Sequence, residues 1–147
     1  MKHPKEYDTT PAIRERMSKV KLKKGKAETI LAKRLWKLGL RYRRNYKELP
    51  GSPDIAITKF RIAIFVDGEF WHGKDWEIRK ERLQHNREYW IAKIEENMAR
   101  DKRVDRELLS IDWTPIRFWE KDVLKNEEYC VERIFDTLLG LNHEDRG

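Results

Sequence analysis

Five side chains in this sequence have the types and spacing to do chemistry: the acids Glu28, Asp54, Asp67 and Asp101, and His72. They are densest around AIFVDGEFWHGKDW, residues 63–76. Ala63 to Val66 has the apolar, β-branched composition of a buried strand, yet the run stops on Asp67, Gly68, Glu69, Phe70, Trp71 and His72. Either the strand runs into a polar loop whose aromatic rings fold back onto the core, or a site is built at the strand's end. Asp54 and Asp67 offer hard oxygen ligands of the kind Mg²⁺ takes when it also keeps waters and a substrate phosphate. The competing use of such acids is surface pairing with the abundant Arg and Lys. Glu28 is in line with Leu31 and Leu35, and Asp101 falls in the row Ile94, Met98, Asp101, Asp105, Leu108, so each stands at the margin of an apolar helical stripe. A carboxylate there is costly unless paired, and the fitting partner is a histidine or a metal-bound water. An imidazole oriented by a carboxylate is a general base, because its pKa sits near neutrality and the acid fixes its tautomer. The inventory is that of a metal-dependent phosphodiesterase.

These groups meet only if particular elements bring them together. Ala27, Ile30, Leu31, Leu35 and Leu38 recur at a helical period from Lys26 to Leu38, and Gly39 sits where a C-terminal cap belongs. Arg41 to Tyr46 reads as a polar strand. Pro53 to Asp67 reads as a β-hairpin tipped by Lys59 and Phe60, with Ile55 facing Ile64 and Ile57 facing Ile62. That register gathers the isoleucines and Val66 on one face, and Asp54, Ala56, Ala63, Phe65 and Asp67 on the other. Asp54 then opposes Phe65, and Asp67 is its diagonal neighbour with backbones roughly 7–8 Å apart, close enough for both carboxylates to reach one ion. Lys-Phe is poor turn chemistry, which favours a longer loop. Asn86 to Leu109 lacks Gly and Pro and predicts a long helix, WTPIRFW a further strand, and the tail from Glu120 a helix, ending frayed over residues 140–147. Thr10-Pro11 predicts a short helix from Pro11 toward Val20, so residues 1–20 form an N-terminal arm. The order is helix, strand, hairpin, helix, strand, helix: one α/β domain over residues 1–147, a mixed sheet flanked by helices.

Composition points to the partner. Lys and Arg outnumber Asp and Glu by 33 to 26, a formal charge of +7, and the excess lies between Arg14 and Lys47. Six tryptophans and five tyrosines accompany the charge, the mixture that grips phosphates and stacks on bases. Lys19, Lys21, Lys23, Lys24, Arg43 and Arg44 are the candidate phosphate contacts on a nucleic acid. No stretch approaches the length of a membrane span, and the single Cys130 excludes an internal disulfide, which fits a reducing cytoplasm.

The segments LPGSPDI (49–55), FVDGEFWHG (65–73) and YWIAKIEENMARD (89–101) resemble the very short patch repair (Vsr) endonucleases, over about Met17 to Val123. The resemblance implies a restriction-endonuclease-like core of the PD-(D/E)xK type and Mg²⁺-dependent nicking of DNA, in the best-known members beside a T:G mismatch. It assigns Asp54 and the Val66 carbonyl to Mg²⁺, His72 as general base, Asp101 as its orienting partner, and Glu28 to a metal-bound water. Phe70 and Trp71 match an aromatic pair wedged into the base stack, with Met17 a possible opposite wedge; wedging costs least at a mismatch. As wedges these rings leave the fold nearly indifferent to their loss; as core residues each is worth about 3–5 kcal/mol. Two departures stand out. Zinc-bearing members carry His and Cys ligands where this chain reads GKDWEIRK and WEKDV, so no structural zinc is expected and T:G specificity is not implied. Glu69 also places negative charge beside the wedge. A monomer acting on duplex DNA, with mismatch-repair proteins as possible partners, is the expected arrangement. The alternatives are a sequence-recognising homing, restriction or mobile-element nuclease, or a DNA-binding module with a decayed site, against which the retention of Glu28, Asp54, His72 and Asp101 argues.

Overall fold

The computed structural model describes residues 25–140, and at its centre four strands form one sheet. Helix α1 covers described residues 25–37; β1 (Arg43–Arg44), β2 (Ile55–Ile57) and β3 (Ile62–Asp67) follow. Then come α2 (Trp76–Arg82), α3 (Arg87–Ser110), β4 (Thr114–Trp119), α4 (Glu120–Lys125) and α5 (Glu127–Leu138). The strand order is β1-β2-β3-β4, antiparallel except for the parallel pair β3/β4, whose crossover carries α2 and α3. The sheet is mixed, as expected. The N-terminal helix and arm, and all but the first residue of the frayed tail, lie outside the described residues.

The hairpin register is the expected one, with Ile55 opposite Ile64 and Ile57 opposite Ile62. Its consequence is a sheet with two different faces. Ile55, Ile57, Ile62, Ile64 and Val66 pack against Leu31 and Leu35 of α1, Val123 of α4 and Ile134 of α5. On the other face Ala63 and Phe65 meet Leu108 of α3. Each fully buried aliphatic side chain contributes about 1.5–3 kcal/mol, so the isoleucine face clamps α1 and α5 to the sheet while α3 covers the face that carries the acids.

Several elements depart from expectation for local reasons. The tip of the hairpin is the longer turn Thr58–Arg61, in which Phe60 N–H donates to the Ile57 carbonyl at 3.2 Å and Arg61 takes φ 55°. A two-residue tip would need Lys59, and in a type I′ turn Phe60 as well, at positive φ, which side chains of that size resist. The strand expected over Arg41–Tyr46 contracts to two residues because Asn45 adopts φ 49°, a conformation asparagine tolerates. Gly39 caps α1 as expected: it takes φ 95°, and Leu40 N–H returns to the Leu35 carbonyl at 3.0 Å. The tail divides into two helices at Asn126, whose side chain accepts from Tyr129 N–H at 3.3 Å. Helix α2 was not expected from the sequence.

Candidate active site

Three elements converge on one point beyond the C-terminal end of β3. Asp67 ends that strand, His72 stands on the loop that follows, and Asp101 projects from the middle of α3. His72 Nδ1–H donates to Asp101 Oδ2 at 2.6 Å, and His72 Nε2 lies 3.9 Å from Asp67 Oδ1. Among the described residues these three form a group whose potential ligand atoms all lie within 4.8 Å of one another.

The loop reaches α3 because of what its residues lack as much as what they carry. Gly73 has φ 72°, and a Cβ there would stand 2.3 Å from Met98 Sδ, so only glycine lets the backbone lie flush on α3. Asn97 Nδ2 donates to the Trp71 carbonyl at 3.0 Å and fixes the same stretch from the helix side. Glu69, which the sequence places beside Phe70, turns toward α4. Its side chain is buried and its Oε2 accepts from Lys121 N–H at 2.9 Å, tying the loop to the start of α4, because a carboxylate satisfies an otherwise unpaired helix N–H.

A fourth side chain, Arg117 of β4, organises the acids. Its Nη1 donates to Asp67 Oδ2 at 3.0 Å and lies 3.6 Å from Asp101 Oδ1, while Nε and Nη2 reach Asp105 at 2.9 and 2.8 Å. Burial alone would lower the guanidinium's pKa, but the hydrogen bond to Asp105 and the charges of Asp67, Asp105 and Asp101 outweigh it and raise the pKa. Asp67 is raised as well. Burial drives that shift, and the opposing charges of His72 and Arg117 only partly offset it, with Asp101 adding to the rise. Sequence reasoning missed Arg117, although the alternation of TPIRFW carried the signal. With Ile116 and Phe118 in the isoleucine-face core, Arg117 must face the other way, beside Phe65 and Asp67.

Asp54 is buried just before β2, and its Oδ2 accepts from Val66 N–H at 2.8 Å. It shares a hollow of about 210 Å³ with His72, Asp101 and Arg117. Those three also line a larger cavity of about 510 Å³, whose wall includes Asp67. His72 and Asp101 therefore border the hollows of both acids. Glu28 faces inward, as its helical position suggested, with its Oε1 3.8 Å from Arg44 Nη2, and stands outside the trio. Arg43 and Arg44 are exposed on the edge strand. Met17, Lys19, Lys21, Lys23 and Lys24 lie outside the described residues.

Phe70 and Trp71 are half-buried rather than free. Their rings meet edge to face at 5.2 Å, and both rest on Trp90 of α3, at 5.6 and 5.4 Å. Indifference of the fold to their loss is therefore not the expectation from this packing. Cys130 is remote from this chemistry: it is buried within the isoleucine-face core, and burial pushes its thiol up to about 12. No described helix is long and apolar enough to cross a membrane.

The chain matches the family model described as DNA mismatch endonuclease Vsr over residues 7–78. It is 54% identical over 121 residues to the type II nicking enzyme V.HpaIIP of Haemophilus parainfluenzae, covering 81% of this chain and 86% of that protein. With the type II nicking enzyme V.NmeDIP of Neisseria meningitidis serogroup C it shares 49% identity over 126 residues, 85% of each chain. The DNA mismatch endonuclease Vsr of Escherichia coli strain K12 is 31% identical over 115 residues, 76% of this chain and 73% of that protein. Likeness at this level along most of both chains, on a mixed sheet flanked by helices, makes this protein a member of the Vsr family and a DNA endonuclease.

Proposed function

We propose that this endonuclease nicks one strand of duplex DNA at mismatched or otherwise distorted sites, with Mg²⁺ as its cofactor. The observation that carries the reading is the 2.6 Å contact between His72 Nδ1 and Asp101 Oδ2. A proton held on Nδ1 by the carboxylate leaves Nε2 as an acceptor, the state a general base needs. His72 then takes the proton from the water that attacks phosphorus, as the P–O bond to the departing strand breaks. Asp101 holds the ring and balances the imidazolium that results.

The donor set fits a hard divalent cation. Asp67, His72 and Asp101 bring carboxylate oxygens and an imidazole nitrogen within 4.8 Å of one another beside the strand end. Asp54 and Asp67, with the Val66 carbonyl, would hold the ion, and Glu28 a water beside it. When bound, Mg²⁺ supplies positive charge to the scissile phosphate and acidity to water. The names of the relatives support nicking and mismatch recognition, since V.HpaIIP and V.NmeDIP are called nicking enzymes and the Escherichia coli protein a mismatch endonuclease. Action in the cytoplasm as a monomer, alongside mismatch-repair proteins, completes the reading.

The test is a nicking assay on matched, T:G and abasic duplexes with and without Mg²⁺, run beside Asp54→Ala. That variant is expected to lose nicking by at least about 10³-fold while binding DNA within about threefold of the parent, because it removes an ion ligand and no phosphate-binding cation. Persistent Mg²⁺-dependent nicking would remove Asp54 from the metal site. Equal rates on matched and distorted duplexes would remove the mismatch.

A further inference from the structure

We propose that Arg117 is a built-in counter-ion occupying the seat a second cation would take, so that the acid cluster holds one divalent ion and not two. The inference rests on the metal-dependent reading above. Arg117 stands where Asp67, Asp101 and Asp105 converge, and its donors are already engaged: Nη1 on Asp67 at 3.0 Å, Nε on Asp105 at 2.9 Å, and Nη2 on Asp105 at 2.8 Å and on the Asp101 carbonyl at 3.4 Å. The guanidinium carbon lies 4.1 Å from the centroid of the Phe65 ring, and the side chain is 15% exposed. A planar fork bonded on several edges and stacked on an aromatic ring has one geometry, unlike the swinging ammonium of a lysine. It cannot turn away without taking its charge and hydrogen bonds from Asp105 and Asp67 in a partly buried site, a costly state. A cation lodged between Asp67 and Asp105 would need the space the guanidinium fills. The side of Asp67 facing His72, where Oδ1 lies 3.9 Å from Nε2, is left for a single ion.

Mn²⁺ binding to the full chain without DNA tests this, by calorimetry for stoichiometry and by electron paramagnetic resonance for free ion. The parent is expected to bind one Mn²⁺. Arg117→Met opens the seat and removes a positive charge, and should bind two, the first with a Kd at least about tenfold tighter. Arg117→Lys keeps the charge and should bind one. Two Mn²⁺ on the parent, or one on Arg117→Met with an unchanged Kd, would overturn the proposal while leaving the metal site intact. Absence of Mn²⁺ from the parent would instead overturn the metal-dependent reading and this inference with it. If circular dichroism shows Arg117→Met unfolded, the stoichiometries of the parent and of Arg117→Lys decide, two ions on either counting against it.

Discussion

Asp67 shows how a single residue can hold a site in readiness at the expense of stability. Its folded-state pKa lies above the ordinary carboxylate value of 3.8, chiefly through burial. A group raised in this way contributes its full stability below the unfolded value and loses it as pH rises through the folded one. Without metal, the charged carboxylate therefore weakens the fold toward neutrality. Asp67→Asn removes that charge while Arg117 keeps Asp105 and Asp101 as partners. In chelator at neutral pH the variant should melt above the parent, by about 2–4 °C for each kcal/mol relieved, with the advantage fading as pH falls toward 4. Melting curves across that range decide it. A variant that melts below the parent at every pH would mean that the Asp67–Arg117 pair is worth more than the burial costs.

At the scale of elements, the loop between β3 and α2 is held by contacts to two helices: Glu69 on α4, and on α3 the Trp71 carbonyl on Asn97 and Gly73 flush against Met98. Phe70 and Trp71 belong partly to that scaffold, through their edge-to-face contacts with Trp90. Aromatic pairs of this kind are worth about 0.5–1.5 kcal/mol each beyond the area they bury. Replacing both with alanine should lower stability by about 1–3 kcal/mol, short of the loss for two fully buried rings. On the proposed mismatch reading, the same variant should lose the preference for mismatched over matched duplex while keeping the metal requirement. Denaturant melts paired with nicking rates on both duplexes separate the two contributions. Unchanged preference would return the rings to a purely structural role.

For the whole molecule, the resemblance implies that the region reading GKDWEIRK and WEKDV must be braced without a structural zinc. Here that region contains the Glu69–Lys121 contact and a buried Trp76, whose Nε1–H donates to Glu95 Oε2 at 2.9 Å. Elemental analysis of the purified chain should find no stoichiometric zinc, and one zinc per chain would refute that bracing. Much of the design was legible in the order of residues alone. Alternation in IAITKFRIAIFVD dictated the hairpin register and its two faces, because a one-residue slip would turn every isoleucine out of the core. The spacing of YWIAKIEENMARD dictated a helix that points Asp101 inward. The motifs in order revealed the family and its endonuclease activity. The pairing of His72 with Asp101, 29 residues apart, came from the family resemblance and not from periodicity, and the fold realises it; only the tertiary structure brought Arg117 to Asp67, 50 residues away. It also turned Glu69 inward and set the Phe70 and Trp71 rings on Trp90. The physical reason is that periodicity tells which face of its own element a side chain takes, whereas its partner across a parallel crossover depends on how two elements dock. Where a buried charge could choose among several partners, only that docking selects one.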